Sequence, residues 1–204
     1  SALIVSGGRG LRMGQDKKFL KIYGKSFIER AVDVAREFSD EIIVSVGSQK
    51  QMEHTLAQGI KDIKIVSDLK ENLGPVMGLL TGMYAANGEW VVSLPVDAPM
   101  MKPEIFKSML SGREGFDAVV PVKGELLEPM HGVYKRDVMI KACEWALEVE
   151  GNRSSLQNIV KGLAKVNYIP VEDFKEYDRE LLTFHNVNTP VDFKWLMKQA
   201  DGRK

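Results

Sequence analysis

Short apolar runs alternate with helix-period stretches through the first 121 residues of this 204-residue chain. Ala2-Leu3-Ile4-Val5 reads as a buried strand, and Ile42-Ile43-Val44-Ser45-Val46, Ile63-Lys64-Ile65-Val66 and Trp90-Val91-Val92-Ser93-Leu94 as further strands, the last cut off by Pro95. Between the first two, Phe27, Ala31, Val34 and Phe38 recur about one helical turn apart. Ser26, with Glu29 at capping-box spacing, starts that helix. Residues 49–58 read as a second helix, Gly74-Pro75 opens a third that runs to about Asn87, and Pro103 sits at the start of a fourth. Strands separated by helices need right-handed crossovers, so the expected fold is α/β: three layers, α/β/α, around a mostly parallel sheet. Beyond residue 121 the pattern loosens into a short hairpin around Gly124, helices near 137–148 and 155–161, a strand at Val166–Ile169 and a last helix from Pro190. Neither a repeat nor a low-complexity linker interrupts the chain, which predicts one domain over 1–204.

Lys and Arg together number 28, as do Asp and Glu, so the net charge is zero. That balance argues against bulk electrostatic binding to nucleic acid or to an anionic membrane. No apolar run approaches the ~18–20 residues of a membrane-crossing helix. The single cysteine, Cys143, cannot close an internal disulfide, and a cytoplasmic setting is the expectation.

The strongest chemical signal follows the first strand: Gly7-Gly8-Arg9-Gly10-Leu11-Arg12-Met13-Gly14-Gln15-Asp16-Lys17. Four glycines in eight residues let backbone amides turn tightly and approach a ligand. Bare N–H groups can cup an anion, and Arg12 and Lys17 add two cations. The position, at the carboxyl end of a strand, is where parallel α/β sheets hold ligands. The dinucleotide-binding spacing fails, because its third glycine would fall on Met13. A P-loop ending at Gly24-Lys25-Ser26 fails too, because its first glycine would be Phe19; Gly24-Lys25 reads as a turn before the first helix.

The run from Leu3 to Lys17, apolar strand then Gly-Gly-x-x-x-Arg-Met-Gly-x-Asp-Lys, resembles the signature of the MobA-type molybdenum cofactor guanylyltransferases, within the wider class of sugar-nucleotide pyrophosphorylase-like enzymes. Three further segments are similar to that family: Leu73-Gly74-Pro75-Val76-Met77-Gly78, Leu94-Pro95-Val96-Asp97-Ala98-Pro99 and Asn186-Val187-Asn188-Thr189-Pro190-Val191-Asp192. The resemblance implies a Rossmann-like sheet of the nucleotide-diphospho-sugar transferase type. It also implies transfer of GMP from GTP to molybdopterin with release of pyrophosphate, Mg²⁺ as cofactor, and molybdenum-insertion and molybdoenzyme maturation proteins as partners. Residues 1–121 would then carry the nucleotide and 122–204 the acceptor.

By that resemblance Leu3, Ser6, Gly7, Gly8, Gly10, Arg12, Met13, Gly14 and Lys17 surround the nucleotide, together with Asp68, Gly74, Pro75 and Asp97. Asp97 would be the metal ligand, and a carboxylate at a strand's carboxyl end facing a phosphate loop suits a hard cation. Asn186, Asn188 and Arg153 are the acceptor-binding candidates. A phosphate nucleophile is already anionic and needs no general base, so the barrier must fall by alignment and charge neutralisation. Arg12 would offset charge on the leaving pyrophosphate and Lys17 charge growing on the α-phosphate. Base choice would rest on backbone after strand one, on the Gly47-Ser48 region, where the family usually has Asn, and on Asp68.

Other residues invite less. His54, His131 and His185 lack metal-ligand spacing and read as structural or surface residues, although Glu128-Pro129-Met130-His131 resembles a segment lining the acceptor side in the family; Cys143 shares an apolar helix face with Met139, Ala142 and Ala146 and reads as core. Thr189-Pro190 is also simply a good N-cap and N1 pair. Three rivals stay open: cytidylyl transfer to molybdopterin, guanylyl transfer to a cobamide precursor, and a cofactor or nucleotide carrier without turnover.

Overall fold

The computed structural model of the chain describes residues 1–7 and 17–201. A continuous sheet forms its middle layer. The strands are β1 (Ala2–Val5), β2 (Lys21–Ile22), β3 (Lys25–Ser26), β4 (Ile42–Val46), β5 (Lys64–Ser67), β6 (Trp90–Pro95), β7 (Ala118–Lys123), β8 (Leu126–Leu127), β9 (Val133–Lys135) and β10 (Val166–Pro170). The helices are α1 (Phe27–Arg36), α2 (Gln49–Leu56), α3 (Gly74–Ala85), α4 (Pro103–Ser111), α5 (Arg136–Glu150), α6 (Leu156–Lys161) and α7 (Pro190–Asp201). Strand order across the main sheet is β10-β7-β9-β6-β1-β4-β5, with β8 paired to β7, and β2 and β3 form a separate hairpin. β1 pairs in parallel with β4 and β6, β4 with β5, and β7 with β10. β9 runs antiparallel between β6 and β7.

β1 and β4 are buried at every position, as expected of apolar runs covered on both faces. Their side chains alternate between two cores. Ala2 and Ile4 join α1 and α4 on one face, with Val32 and Phe106 among the buried partners. Leu3 and Val5 join α3, α5 and α6 on the other, with Leu79, Met139 and Val160. Burying side chains of this size contributes roughly 1.5–3 kcal/mol each. A Cβ on Gly82 would fall 2.2 Å from Leu3 Cδ1, so glycine lets α3 lie this close to β1. A third, smaller cluster joins Leu20, Ile22 and Phe27 to Leu182, Val187 and Leu196, tying the β2–β3 hairpin to the C-terminal helix.

The capping box at Ser26 forms as the spacing predicts: Glu29 N–H donates to Ser26 Oγ at 3.3 Å, and Ser26 N–H to Glu29 Oε2 at 2.7 Å. The expected hairpin around Gly124 is β7–β8. The third helix stops at Ala85, short of the expected Asn87, because Ala86 is extended. Glu41 holds the following turn, accepting from Asn87 N at 3.0 Å and Asn87 Nδ2 at 2.6 Å. β9 has no counterpart in the sequence reading: three residues between a turn and a helix are too few to show a period. Its insertion lets the chain, loosened after residue 121, return to the same sheet.

Candidate active site

The carboxyl ends of β1, β4, β5 and β6 lie along one edge of the sheet, and of the sequence-expected site residues Ser6, Gly7, Asp68 and Asp97 follow these strands there. Ser6 N–H donates to Ser45 O at 2.8 Å and Asp68 N–H to Val46 O at 2.8 Å, extending the strand ladders to the residues that follow them. An open cavity of about 540 Å³ sits above these ends, lined by Gly7, Gly47, Ser48, Gln51, Asp68, Glu71, Asn72 and Gly74.

Two backbones meet in its floor. A Cβ on Gly47 would lie 2.8 Å from Gly7 O and 3.2 Å from Gln51 Oε1. A Cβ on Gly7 would lie 3.4 Å from both Gly47 N and Asp68 Oδ2. Glycine at both positions therefore brings two loops and a carboxylate to one point, and an Asn at position 47 would have no room without moving Gly7. Ser48 caps α2, its hydroxyl accepting from Gln51 N–H at 3.3 Å. Gln51 in turn reaches back, and its Oε1 accepts from Gly47 N–H at 2.8 Å.

Asp68 is the electrostatically unusual group. Burial, then the nearby charge of Glu71, pushes its carboxyl pKa up to about 7. Its Oδ1 is buried and makes no hydrogen bond among the described residues. Oδ1 faces α3, 3.6 Å from where a Cβ on Gly78 would lie, while Oδ2 is the oxygen beside Gly7 in the cavity floor and the one placed to meet a ligand's N–H groups.

Asp97 follows β6 and is half-buried. Its backbone carbonyl accepts from Val187 N–H at 2.8 Å, so the Asn186–Asn188 segment docks against the turn that carries Asp97. Val187 is fully buried in the third core cluster and anchors that segment. Asn186 Oδ1 is buried without a hydrogen bond among the described residues, whereas Asn188 is exposed. The cap of α7 belongs to Thr189 and Asp192. Asp192 N–H donates to Thr189 Oγ1 at 3.2 Å, and Asp192 Oδ2 accepts from the backbone N–H groups of Asn188 and Thr189 at 2.8 Å each. Thr189 acts as the sequence suggests, and the two Asn side chains are not what caps the helix.

Not every expected residue joins this edge. Leu3 is fully buried in the middle of β1, paired to Ile43 and Ser93 and packed beneath α3; it belongs to the core, not to the cavity lining. Arg153 is exposed on the turn Gly151–Arg153 after α5, and among the described residues no hydrogen bond or ion pair joins it to Asp97 or to Asn186–Asn188. Pro75 occupies the first turn of α3 beside Gly74. Gly8, Gly10, Arg12, Met13 and Gly14 lie outside the described residues, as does the Lys17 side chain; the Lys17 backbone opens the short turn Lys17–Phe19.

The histidines and the cysteine behave structurally, as expected. His131 is fully buried, with Nε2 3.0 Å from Thr183 O, and burial holds its pKa down to about 4. His185 stacks on Trp195 with ring centroids 4.3 Å apart. His54 is exposed on α2. Burial pushes the Cys143 thiol up to about 12. Gln51, Glu71 and Asn72 are the cavity residues that sequence reading missed. One signal was available for the first: Ser48-x-x-Gln51 is a capping-box pattern, though Gln51 reaches Gly47 and not the cap residue itself.

Residues 2–165 match the family described as MobA-like NTP transferase domain. The chain belongs to the MobA-like NTP transferase family. A protein of Methanosarcina mazei named probable molybdenum cofactor guanylyltransferase is 32% identical over 206 residues, covering 98% of this chain and 91% of its own length. The structure of molybdopterin-guanine dinucleotide biosynthesis protein A from Archaeoglobus fulgidus superposes with a TM-score of 0.83 at 24% identity, covering 98% of both chains. That of 2-C-methyl-D-erythritol 4-phosphate cytidylyltransferase from Thermus thermophilus gives 0.71 at 15% identity, covering 98% of both chains. The α/β fold of the nucleotide-diphospho-sugar transferase type expected from the sequence is the fold observed, and these MobA-like relatives make the chain a nucleotidyltransferase. Among the described residues no helix is long and apolar enough to cross a membrane.

Proposed function

We propose that this chain transfers GMP from GTP to the terminal phosphate of molybdopterin, releasing pyrophosphate. One observation carries most of the weight. The Val187–Asp97 backbone bond ties the two-amide segment Asn186–Asn188 to the strand-end turn bearing Asp97, on the sheet edge that also holds the Asp68 cavity. A nucleotide with its base in the cavity would present its phosphates between Gly7 and the turn bearing Asp97. The names borne by close relatives support the same reading. Residues 1–121 would form the nucleotide-binding half and 122–204 the acceptor-binding half of one domain.

In this reading a terminal phosphate oxygen of the acceptor attacks the α-phosphorus in line. The new P–O bond forms as the bond to the β-phosphate oxygen breaks, and the electron pair leaves with pyrophosphate. The nucleophile is already anionic, so no side chain has to take a proton. His131 and Cys143, both locked in the core, fit that absence of a base. Backbone amides of residues 7–14 would hold the triphosphate, Arg12 would offset charge on the departing pyrophosphate, and Lys17 would neutralise the α-phosphate as its charge grows. Asn188, with Asn186 beside it, would orient the acceptor by donating and accepting through its amide.

Among the described residues no three His, Cys, Asp or Glu side chains gather as a ligand set. A carboxylate at a strand end fits Mg²⁺, which commonly binds through one or two carboxylates plus substrate phosphates and water. Asp97 would hold it, and the ion would supply charge neutralisation at the phosphates. A cytoplasmic setting, GTP and molybdopterin as substrates, and exchange with molybdenum-insertion and molybdoenzyme maturation proteins belong to the same proposal.

The test is pyrophosphate release from each of the four NTPs, with and without molybdopterin. Release that requires both GTP and molybdopterin is expected. A preference for CTP moves the chain to cytidylyl transfer, and GTP binding without release makes it a carrier.

A further inference from the structure

The cavity that would take the base carries a side-chain amide donor on Gln51. We propose that Gln51 determines base specificity by donating from Nε2 to the exocyclic oxygen of a 6-oxopurine, guanine O6 in the reaction proposed above. The inference rests on that reaction and adds the residue that recognises the purine carbonyl.

The orientation of the Gln51 amide is set by its partner. Gly47 N–H can only donate, so the atom 2.8 Å from it must be the amide oxygen, and the other amide atom is the NH₂ group. That Nε2 makes no hydrogen bond among the described residues, and Gln51 lines the cavity. Both ends of the residue are held: its backbone N–H donates to the Ser48 hydroxyl at 3.3 Å, and its side-chain Oε1 accepts from Gly47 N–H. Such pinning lowers the rotamer entropy that a long side chain would otherwise lose on meeting a ligand.

The remaining cavity wall shows why a 6-oxopurine is the matching class. Asp68 lines the cavity with Oδ2 on the Gly7 side, and Glu71 adds a second carboxylate to the lining. The Gly7–Gly47 contact joins the two walls, with Asp68 on one side and Gln51 on the other. One edge of guanine presents an acceptor at O6 and donors at N1 and N2. A wall with a neutral donor at one end and carboxylate acceptors at the other has the opposite pattern. Adenine places an amino donor where O6 would be, facing the Gln51 NH₂ donor to donor. Position 47 has no room for a side chain, and Gln51 brings an amide to the cavity from the first turn of α2.

Gln51→Glu separates the two ends of this amide. The carboxylate still accepts from Gly47 N–H but no longer donates. Binding of GTP and of 2-aminopurine riboside triphosphate, which lacks O6, is measured by calorimetry on wild-type and variant full chains. The expected result is a tenfold or greater loss for GTP with the 2-aminopurine nucleotide changed less than twofold relative to wild type, after the common effect of the added charge is removed by taking the ratio. Gln51→Met, which is uncharged, is expected to show the same loss in ratio and serves if the first variant does not fold. Equal losses for both nucleotides, or none for either, would overturn the role of Gln51 while leaving the transferase reading in place. A wild-type chain that binds no GTP would overturn that reading as well.

Discussion

Replacing Asp68 by Asn should uncouple nucleotide binding from pH and stabilise the free protein in alkaline buffer. The folded-state pKa of Asp68 is raised from 3.8 to about 7, chiefly by burial. The folded protein therefore keeps a proton that the unfolded chain releases near pH 4. The stability this provides is full below about pH 4 and is lost as pH rises to 7, beyond which the ionised carboxyl is a standing cost. The whole shift corresponds to about 4 kcal/mol. Solvent reaching this half-buried group reduces that to ~2 kcal/mol, since charges near water are well screened. Asp68→Asn removes the titration, so its melting temperature should exceed wild type by roughly 4–8 °C at pH 8 and by nothing beyond the effect of the amide itself at pH 4.

Guanine's N1–H and N2–H groups need an acceptor, so GTP should select the ionised form of Asp68. With a pKa of about 7, roughly one molecule in ten is competent at pH 6 and nine in ten at pH 8, which tightens the apparent Kd roughly tenfold across that range. Calorimetry with a non-hydrolysable GTP analogue at pH 6, 7 and 8 measures it. The Asn variant, titrated identically, cancels the protonation of the nucleotide's own phosphates. A parallel pH slope in wild type and variant would refute the assignment of Asp68 to the base. An unchanged melting temperature at pH 8 would refute the buried charge.

Asp97→Asn keeps the shape of the turn and removes one negative charge; it should stay folded while turnover falls on the order of 10²-fold or more, read by pyrophosphate release. Gly47→Ala drives a Cβ to 2.8 Å from Gly7 O and should cost about 1–3 kcal/mol by urea denaturation, with weaker GTP binding because Gly7 or Gln51 must move. Thr189→Ala removes the helix cap and should cost about 1 kcal/mol without changing use of the acceptor. Asn188→Ala should do the reverse, leaving GTP binding intact and weakening use of molybdopterin by about tenfold, and normal acceptor kinetics in that variant would move the acceptor site elsewhere.

Much of the fold was legible because each signal was local. Strands buried on both faces announce themselves as unbroken apolar runs, and Ser26 with Glu29 specifies a helix start that forms as read. The candidate site offers signals of the kind in which chemistry travels with spacing: a glycine loop after a strand, a carboxylate after another, an Asn pair before a Thr-Pro cap. What stayed hidden depended on distant chain. β9 is a strand only because β6 and β7 leave a gap that its three residues fill. Leu3 reads as part of a phosphate motif but lies beneath α3, because the motif's first residues are sheet before they are loop. Asp68 is an ordinary aspartate until β4, β5 and α3 enclose it.

The two kinds of residue at this edge differ in how sequence can reveal them. Groups assigned to the transfer itself, Arg12, Lys17 and Asp97, carry formal charge, and charge keeps its meaning at any orientation, so residue type and spacing go far toward a role. Groups assigned to base choice act through direction. An amide such as Gln51 donates at one atom and accepts at the other, and only the backbone N–H of Gly47, fixed by the close contact of two glycine loops, determines which end meets the ligand. Reversing that partner would reverse the specificity with no change in the identity of residue 51. For this reason base preference is the property of the chain most dependent on its three-dimensional structure, and the comparison of GTP with a purine lacking O6 tests the structure more sharply than it tests the motif.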